Sequence, residues 1–513
     1  VTLLEAYRSG ALRDFHRLEP NDFAAAFDTP HPADRTALGA AVLEYLRAVN
    51  APKAVLENAK RLAHPESKVV MTGQQAGLLL GPVYTVSKAV TAILLARQHN
   101  TDERPVVPMF WVASQDHDAD EVRGAALLDL NETLHSIALE LPPGVAMGKV
   151  ALQPAWLEEV RALLESFNAP AEFKQPVVES VTRCFETSGT YAEWFARLLL
   201  ELLGAHGLVV VDPMHASIAP LFVPHLNREL ERFDASSKAI EDAAQRLEAQ
   251  GFKAQLRRTP NSSNLFLENA RLERQLLKVS GQMYTVDGVS YTCPQLKGIL
   301  AADATRLTPA AGLRPIIADA TFPVAVNVLG PGELAYHLEL GGVYALHGVA
   351  QPLMHQRMSV TVLEPPVTRI LQKYDLSAAE FLKQGRAALE ARALERSSAA
   401  AALQEGLRDL EAGFNKLRAN LEPFEPGLGK ALTRGEGSIR FNLARLERKL
   451  GAAILKADDT AEQQVDRLER HLLPRGTPQE RLNSFLEFQM KFGTLALERM
   501  LKLEPTGTHF LEI

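Results

Sequence analysis

Asp116-His117-Asp118, with Asp120 and Glu121 just beyond, forms the densest cluster of ionisable side chains in the chain. An imidazole transfers protons near neutral pH, and a flanking carboxylate fixes its tautomer and raises its basicity. The same letters could instead hold a divalent metal through mixed nitrogen and oxygen ligands. They could also form an exposed acidic helix start that favours the helix dipole and nothing more. Spacing leaves all three readings open, while the position directly after an apolar run favours the first.

A second group reads Thr72-Gly73-Gln74-Gln75-Ala76-Gly77. It is neither a Walker loop nor G-x-G-x-x-G. The two adjacent glutamines each offer donors and acceptors that can orient a polar substrate. Tyr84 and Lys88 follow at helical positions, where Lys88 is either an anion contact or a solvated lysine. A third group follows Gly330-Pro331, where spacings of three and four put Glu333, Tyr336 and His337 on one side of a helix start. Arg357 could clamp a carboxylate or phosphate, although an arginine closing a strand is often only surface. His206, His225 and His347 lack such neighbours and read as structural.

The elements that must position these groups follow from hydrophobic spacing. Lys68 to Thr72 is a short β-branched run, Gly73 is expected as its turn, and Pro82 suits the first turn of the helix beyond. Such a junction aims free backbone N–H groups and the positive helix end at one point, suiting a phosphate or carboxylate. Pro105 to Val112 is a second buried strand, completing a βαβ unit whose loops after Thr72 and Val112 share one crevice. A hairpin over Ala125 to Leu141, helices over Pro154–Asn168, Lys174–Phe185 and Tyr191–Leu203, and a third strand at Leu208–Asp212 come next. A long helix is expected over Ile218–Gln250 and an inserted α+β unit from Phe252 to about Tyr291. Phe322 to Leu329 is a further strand running into the second Gly-Pro corner, and Val349–His355 with Ser359–Val362 closes the set. The fold class is therefore α/β, with a doubly wound, Rossmann-like parallel sheet.

From Ser377 to Leu473 the composition turns to Ala, Leu, Glu, Arg and Gln. Leu403, Leu407, Leu410, Phe414, Leu417 and Leu421 alternate spacings of four and three, as do Ile439, Leu443, Leu446 and Leu450, which is a heptad seam. The break at Glu422-Pro423-Phe424-Glu425-Pro426-Gly427 predicts an antiparallel hairpin with arms of about 45 residues, on the order of 65 Å long. A second copy of the chain is its simplest partner. Pro478 to Lys502 is expected as one helix returning to the core. The expected organisation is a core over 1–376 with insertions near 125–205 and 240–310, a coiled coil over 377–475, and a return over 476–513.

With 513 residues, 46% hydrophobic and 23% charged, the chain is ordinary globular material. A net charge of −7 argues against a nucleic-acid binder. Cys184 and Cys293 are the only cysteines, so neither a disulfide framework nor a cysteine zinc site is expected, and a reducing cytoplasm is the natural setting. No signal peptide or membrane span is expected.

VMTGQQAGLLLGPVYTVSKA, FWVASQDHDADEV, RPIIADATFP, LGPGELAYHLEL and PLMHQRMS, in this order before a coiled coil, resemble the cysteine-adding ligase of bacillithiol biosynthesis over nearly the whole chain. The resemblance implies a core related to class I synthetase-like nucleotidyltransferases, with connecting-peptide insertions and a dimerising coiled coil. It implies amide formation between the cysteine carboxyl and the amine of glucosaminyl malate, with ATP as co-substrate activating the carboxyl as an acyl-adenylate and Mg accompanying it. Gly73-Gln74-Gln75 with Gly77 then stands where related synthetases carry their first nucleotide-binding signature, and Asp116-His117-Asp118 matches the acidic-histidine motif. Asp116 and His117 orient or deprotonate the amine, and Glu333, Tyr336 and His337 bind sugar or malate hydroxyls. The chain departs from the family at Ala76 and Gln356, where proline is usual, and at Gln115, where glutamate is common. No Lys-Met-Ser-Lys-Ser string accompanies the other motifs. The competing readings are a metal-dependent hydrolase using Asp116, His117 and Asp118, and a non-catalytic nucleotide-binding assembly factor working through its coiled coil.

Overall fold

Val69, Val70 and Thr72 are β-branched, and Lys68–Gln74 accordingly forms a strand, β1, at the centre of a five-stranded parallel sheet. The computed structural model describes residues 2–256, 259, 261–421 and 428–513. They divide into two units, the first running to Val360 and taking in Leu482–His509, the second Thr361–Arg481 with Phe510–Ile513. The division thus falls before residue 376 and, on the return, after 476.

In the first unit β1 leads to helix α1 (Val83–His99) and strand β2 (Val106–Val112). Helix α1 is buried almost throughout from Val83 to Ala96, as expected of a helix apolar on all sides, and its Ser87 and Thr91 hydroxyls donate to carbonyls one turn back. The hairpin β3 (Gly124–Leu128) and β4 (Leu134–Ala138) forms its own two-stranded sheet, and β3 also bridges to Asn483 through Ala126. Strand β5 (Val209–Val211) rejoins the main sheet, and helix α2 (Val223–Ala249) follows. The inserted unit is an antiparallel sheet of β6 (Ser262–Glu268), β7 (Arg274–Ser280), β8 (Met283–Val286), β9 (Val289–Tyr291) and β10 (Leu307–Pro309), in the order β10-β6-β7-β8-β9. Helix α3 (Arg314–Thr321), strand β11 (Val324–Leu329), helix α4 (Pro331–His337) and strand β12 (Leu353–Gln356) complete it. The main sheet reads β12-β11-β1-β2-β5, so strand order reverses between β1 and β11. The crevice beyond their carboxyl ends is where such sheets bind ligands.

The turn expected at Gly73 is absent, because β1 runs on to Gln74. Glycine is needed there for close approach: a Cβ would stand 2.9 Å from the Trp111 carbonyl oxygen. The chain turns later, where Leu79, Leu80 and Gly81 all have left-handed φ of 51°, 71° and 64°. This corner is held from far along the chain. The Ser484 hydroxyl donates to the Leu79 carbonyl at 2.6 Å, and Val83 N–H to that of Asn483 at 2.9 Å. That second bond explains why the expected single helix over 478–502 is instead three short ones, Gln479–Leu482, Leu486–Phe492 and Leu495–Met500. The first break frees Asn483 and Ser484 for the corner, and the second falls at Gly493, with φ of 61°.

The second unit packs Val367, Ile370, Phe381, Leu389, Leu455, Val465, Leu468 and Leu472 into its own core. Its helices α5 (Arg386–Glu395), α6 (Ser398–Leu421) and α7 (Leu428–Lys456) include the seam. Arg440 pairs with Glu411 at 2.7 Å and Arg418 with Glu436 at 3.0 Å, so α6 and α7 run antiparallel. The expected arms of 45 residues are shorter, at 24 and 29 residues: Gly385, with φ of 60°, and the end of α5 at Glu395 divide the first, and Asp458, which caps a new helix over Asp459–Leu472, divides the second. The break at Glu422–Gly427 lies outside the described residues. Among the described residues no helix is long and apolar enough to cross a membrane.

Candidate functional site

Lys88, shielded from solvent inside α1, directs its ammonium into the switch-point crevice. It donates to the Gly73 carbonyl at 2.9 Å and Gln74 Oε1 at 2.8 Å, and pairs with Glu333 Oε2 at 2.5 Å. That carboxylate also accepts Gly330 N–H at 2.8 Å. Burial works against both charges and lowers the Lys88 pKa, yet Lys88 pulls the Glu333 carboxyl below its ordinary range, so the carboxylate stays ionised at neutral pH. Gln74 Nε2 reaches the Tyr84 hydroxyl at 3.3 Å, and the Tyr84 ring faces the Arg357 guanidinium at 5.4 Å. Arg357 is buried and donates to the Met358 carbonyl, so it is not the surface arginine its position suggested. Arg314, from α3, donates to the Tyr336 hydroxyl at 3.0 Å. His337 packs beside Tyr336 and is buried, which together with Arg314 pushes it down to about 3 and keeps it neutral. Thr72 uses its hydroxyl to bond the Val328 carbonyl at 2.9 Å, tying β1 to β11.

The acidic loop lies next to this crevice. Gln75 Nε2 donates to Asp116 Oδ2 at 2.6 Å, and the backbone N–H of His117 to Asp116 Oδ1 at 2.7 Å. Arg274, at the start of β7, brings Nη1 to 3.1 Å from His117 Nδ1 and 3.9 Å from Asp116 Oδ1. Burial would raise the Asp116 carboxyl, but Gln75 and Arg274 carry it below the usual range. Asp118 is exposed and accepts the Glu121 N–H at 3.3 Å, which is the helix-start role. Glu121 is exposed as well, yet crowding by the surrounding protein, with Asp118 and Asp116 alongside, raises its carboxyl. These groups line an open cleft of about 860 Å³ together with Gln75 and Glu140.

Among the described cavities His117 and Glu333 line different ones. Glu333 and His337 line a small cavity with Thr72, Gly73, Arg314 and Asp319, while His117 lines the open cleft. Gly73, which lines the small cavity, and Gln75, which lines the cleft, lie two residues apart where β1 ends. The first Gly-Pro corner does not present the expected row of free amides. Val83 N–H goes to Asn483 and Thr85 N–H to Pro82, while Gly77 N–H closes a turn on Gln75. At the second corner Gly330 N–H goes to Glu333. Gly77 instead admits the close pass of Gly81, whose Cα would lie 2.8 Å from a Cβ there.

Residues 8–358 match the family model described as "Bacillithiol biosynthesis BshC, N-terminal Rossmann-like domain", and residues 360–510 match its C-terminal coiled-coil domain. The chain belongs to the BshC family. A relative from Thermus thermophilus, named "Putative cysteine ligase BshC", is 40% identical over 93% of each chain. One of the same name from Symbiobacterium thermophilum is 32% identical over 96% of this chain and 92% of its own. The arginyl-tRNA synthetase of Thermus thermophilus aligns over 91% of this chain and 85% of its own, at 12% identity and a TM-score of only 0.16.

BshC membership bears on the competing readings, and so does the geometry. Among the described residues no three His, Cys, Asp or Glu side chains are grouped to hold a metal ion. The Arg274 cation occupies the Nδ1 side of His117. Three residues of this site, Arg314, Arg274 and the cleft-lining Glu140, were not singled out from the sequence. Arg314 sits within the quoted RPIIADATFP string, which could have flagged it. Arg274 opens an alternating strand, where an arginine reads as solvent-facing, and nothing local marks it.

Proposed function

We propose that this BshC family member is an amide-forming ligase that joins the carboxyl of cysteine to the amine of glucosaminyl malate with consumption of ATP. The observation that carries the reading is the glutamine bridge. Gln74 is held by a buried lysine in a crevice with cationic side chains, and Gln75 by Asp116 in an acidic cleft. One side suits anionic groups, the other an ammonium. In this scheme Asp116, Asp118, Glu121 and Glu140 draw the amine into the cleft. As its nitrogen adds to the acyl carbon, the amine gives its proton to one of the carboxylates lining the cleft, among which Glu121 is held above its ordinary range. Arg314 and the Tyr336 hydroxyl suit the oxygens of a carboxylate or phosphate. Glu333 is engaged by Lys88 and His337 is buried, so Tyr336 is the member of that trio left to meet malate. ATP, when bound, supplies the leaving group.

Purified protein given cysteine, glucosaminyl malate and ATP is expected to form the amide and release AMP in equal amount. ADP release would refute activation as an adenylate, and absence of amide would refute the ligase reading.

The proposal extends to assembly and setting. On α6 and α7, Leu417, Ile439, Phe441 and Leu446 are 47%, 37%, 66% and 50% exposed, apolar surface that a second copy would cover. Light scattering is expected to give a dimer mass for the wild type and a monomer mass for the double variant Phe441→Asp, Leu446→Asp. A monomeric wild type would end that part of the proposal. Cys184 and Cys293 are free thiols, which suits a reducing cytoplasm.

A further inference from the structure

We infer that Arg274, carried by the inserted antiparallel sheet, fixes His117 as the neutral imidazole protonated on Nε2. His117 is thereby a hydrogen-bond donor in the acidic cleft and not the base that takes the amine's proton.

The guanidinium is itself held rigidly. Its Nε donates to the Thr308 hydroxyl at 2.8 Å and its Nη2 to the Pro309 carbonyl at 2.5 Å, both on β10. Its face lies 3.9 Å over the Phe266 ring on β6, and the Arg274 backbone N–H donates to Gly144 at 2.8 Å. Only Nη1 is left to point at the loop, where it meets His117 Nδ1 at 3.1 Å. A guanidinium has donors and no acceptor. Burial lowers the Arg274 pKa only to about 10, so it remains a cation at neutral pH. Nδ1 must therefore present its lone pair, and the ring proton of neutral His117 can only be on Nε2.

The surroundings keep the ring neutral. Asp116 Oδ1 is 3.8 Å from Nδ1, too far for a hydrogen bond, and is already occupied by the backbone N–H of His117. Asp116 and Asp118 from the same loop favour the imidazolium, while burial and then Arg274 oppose it and prevail, leaving His117 below its ordinary value. The Phe266 ring, 5.5 Å away, adds no charge. A lysine could not replace Arg274, because one ammonium cannot serve Thr308, Pro309 and His117 in a planar fork. This assignment rests on the ligase reading only for what Nε2–H meets: the carbonyl oxygen that turns negative as the amine adds, where such a donor is worth most.

The test is ¹⁵N NMR of histidine-labelled full-length protein, with the His117 signal identified by its loss in His117→Gln. The expected result is a bare Nδ1 and protonated Nε2 persisting through neutral pH and below the ordinary histidine range. In Arg274→Met the ring should become a tautomer mixture that titrates at higher pH. The acid limb of turnover, where neutral His117 is lost, should move up with it, and Arg274→Lys should not restore either. Turnover at neutral pH should fall about 10- to 100-fold. If Arg274→Met does not fold, Thr308→Val should give the same shift in smaller measure. A proton on Nδ1, or a His117 titration unmoved in both variants, would overturn the assignment. The ring signals need no turnover, so a correct tautomer without amide formation would refute the ligase and leave this inference standing.

Discussion

Lys88→Met is expected to cut turnover at least 100-fold and to lower the free energy of unfolding by about 3–5 kcal/mol, the usual cost of stripping one partner from a buried ion pair. The three ammonium donors of Lys88 go to Gly73, Gln74 and Glu333. Without them the Glu333 carboxylate keeps only the Gly330 N–H, and the Gln74 amide loses what fixes its orientation. Removing the second charge as well, in Lys88→Met with Glu333→Leu, should recover most of the stability and none of the activity. The sign with pH is also fixed. With its pKa below the ordinary value, Glu333 contributes stability above the unfolded carboxylate pKa and loses it as pH falls through the folded one. Urea unfolding at several pH values, alongside the ligase assay, checks each part. A Lys88→Met protein as stable as wild type would show that the crevice does not depend on this pair.

Asp116→Asn is expected to reduce turnover by about 100-fold while the fold persists. The carboxylate receives Gln75 through one oxygen and the His117 backbone through the other, and faces Arg274. An amide keeps the shape but must turn a donor toward one of these donors, and it leaves the Arg274 cation without its counter-charge. Loss should appear mainly in kcat, with stability down by about 1–3 kcal/mol. A variant retaining full kcat would remove Asp116 from the site.

The main sheet was readable because buried parallel strands are short β-branched runs, as at Val69-Val70 and Val209–Val211. The heptad seam and the Ala125–Leu141 hairpin were readable for the same reason, periodicity that matches one element. What was hidden depended on distant chain. Gly73 looked like a turn because its close neighbour, Trp111, lies on another strand. The α1 amides looked free because Asn483, which takes the first, is some 400 residues away. The glutamines, Lys88, Glu333 and Asp116 were chosen from the sequence and do come into contact, but their division into two spaces depends on which way Gln74 and Gln75 point. Arg274 required knowing that β7 passes the acidic loop, which no local pattern encodes.

The left-handed corner at Leu79–Gly81 bears on how the protein comes into being. Its stabilising hydroxyl, Ser484, lies 405 residues downstream of Leu79. A nascent chain leaving the ribosome therefore cannot complete this buried corner, with its two left-handed leucines, until Ser484 has been synthesised. Closing so long a loop costs on the order of 5 kcal/mol in chain entropy. The glutamine pair beside that corner consequently gains its working shape late, and premature termination upstream of Asn483 leaves the corner without the contacts that hold it.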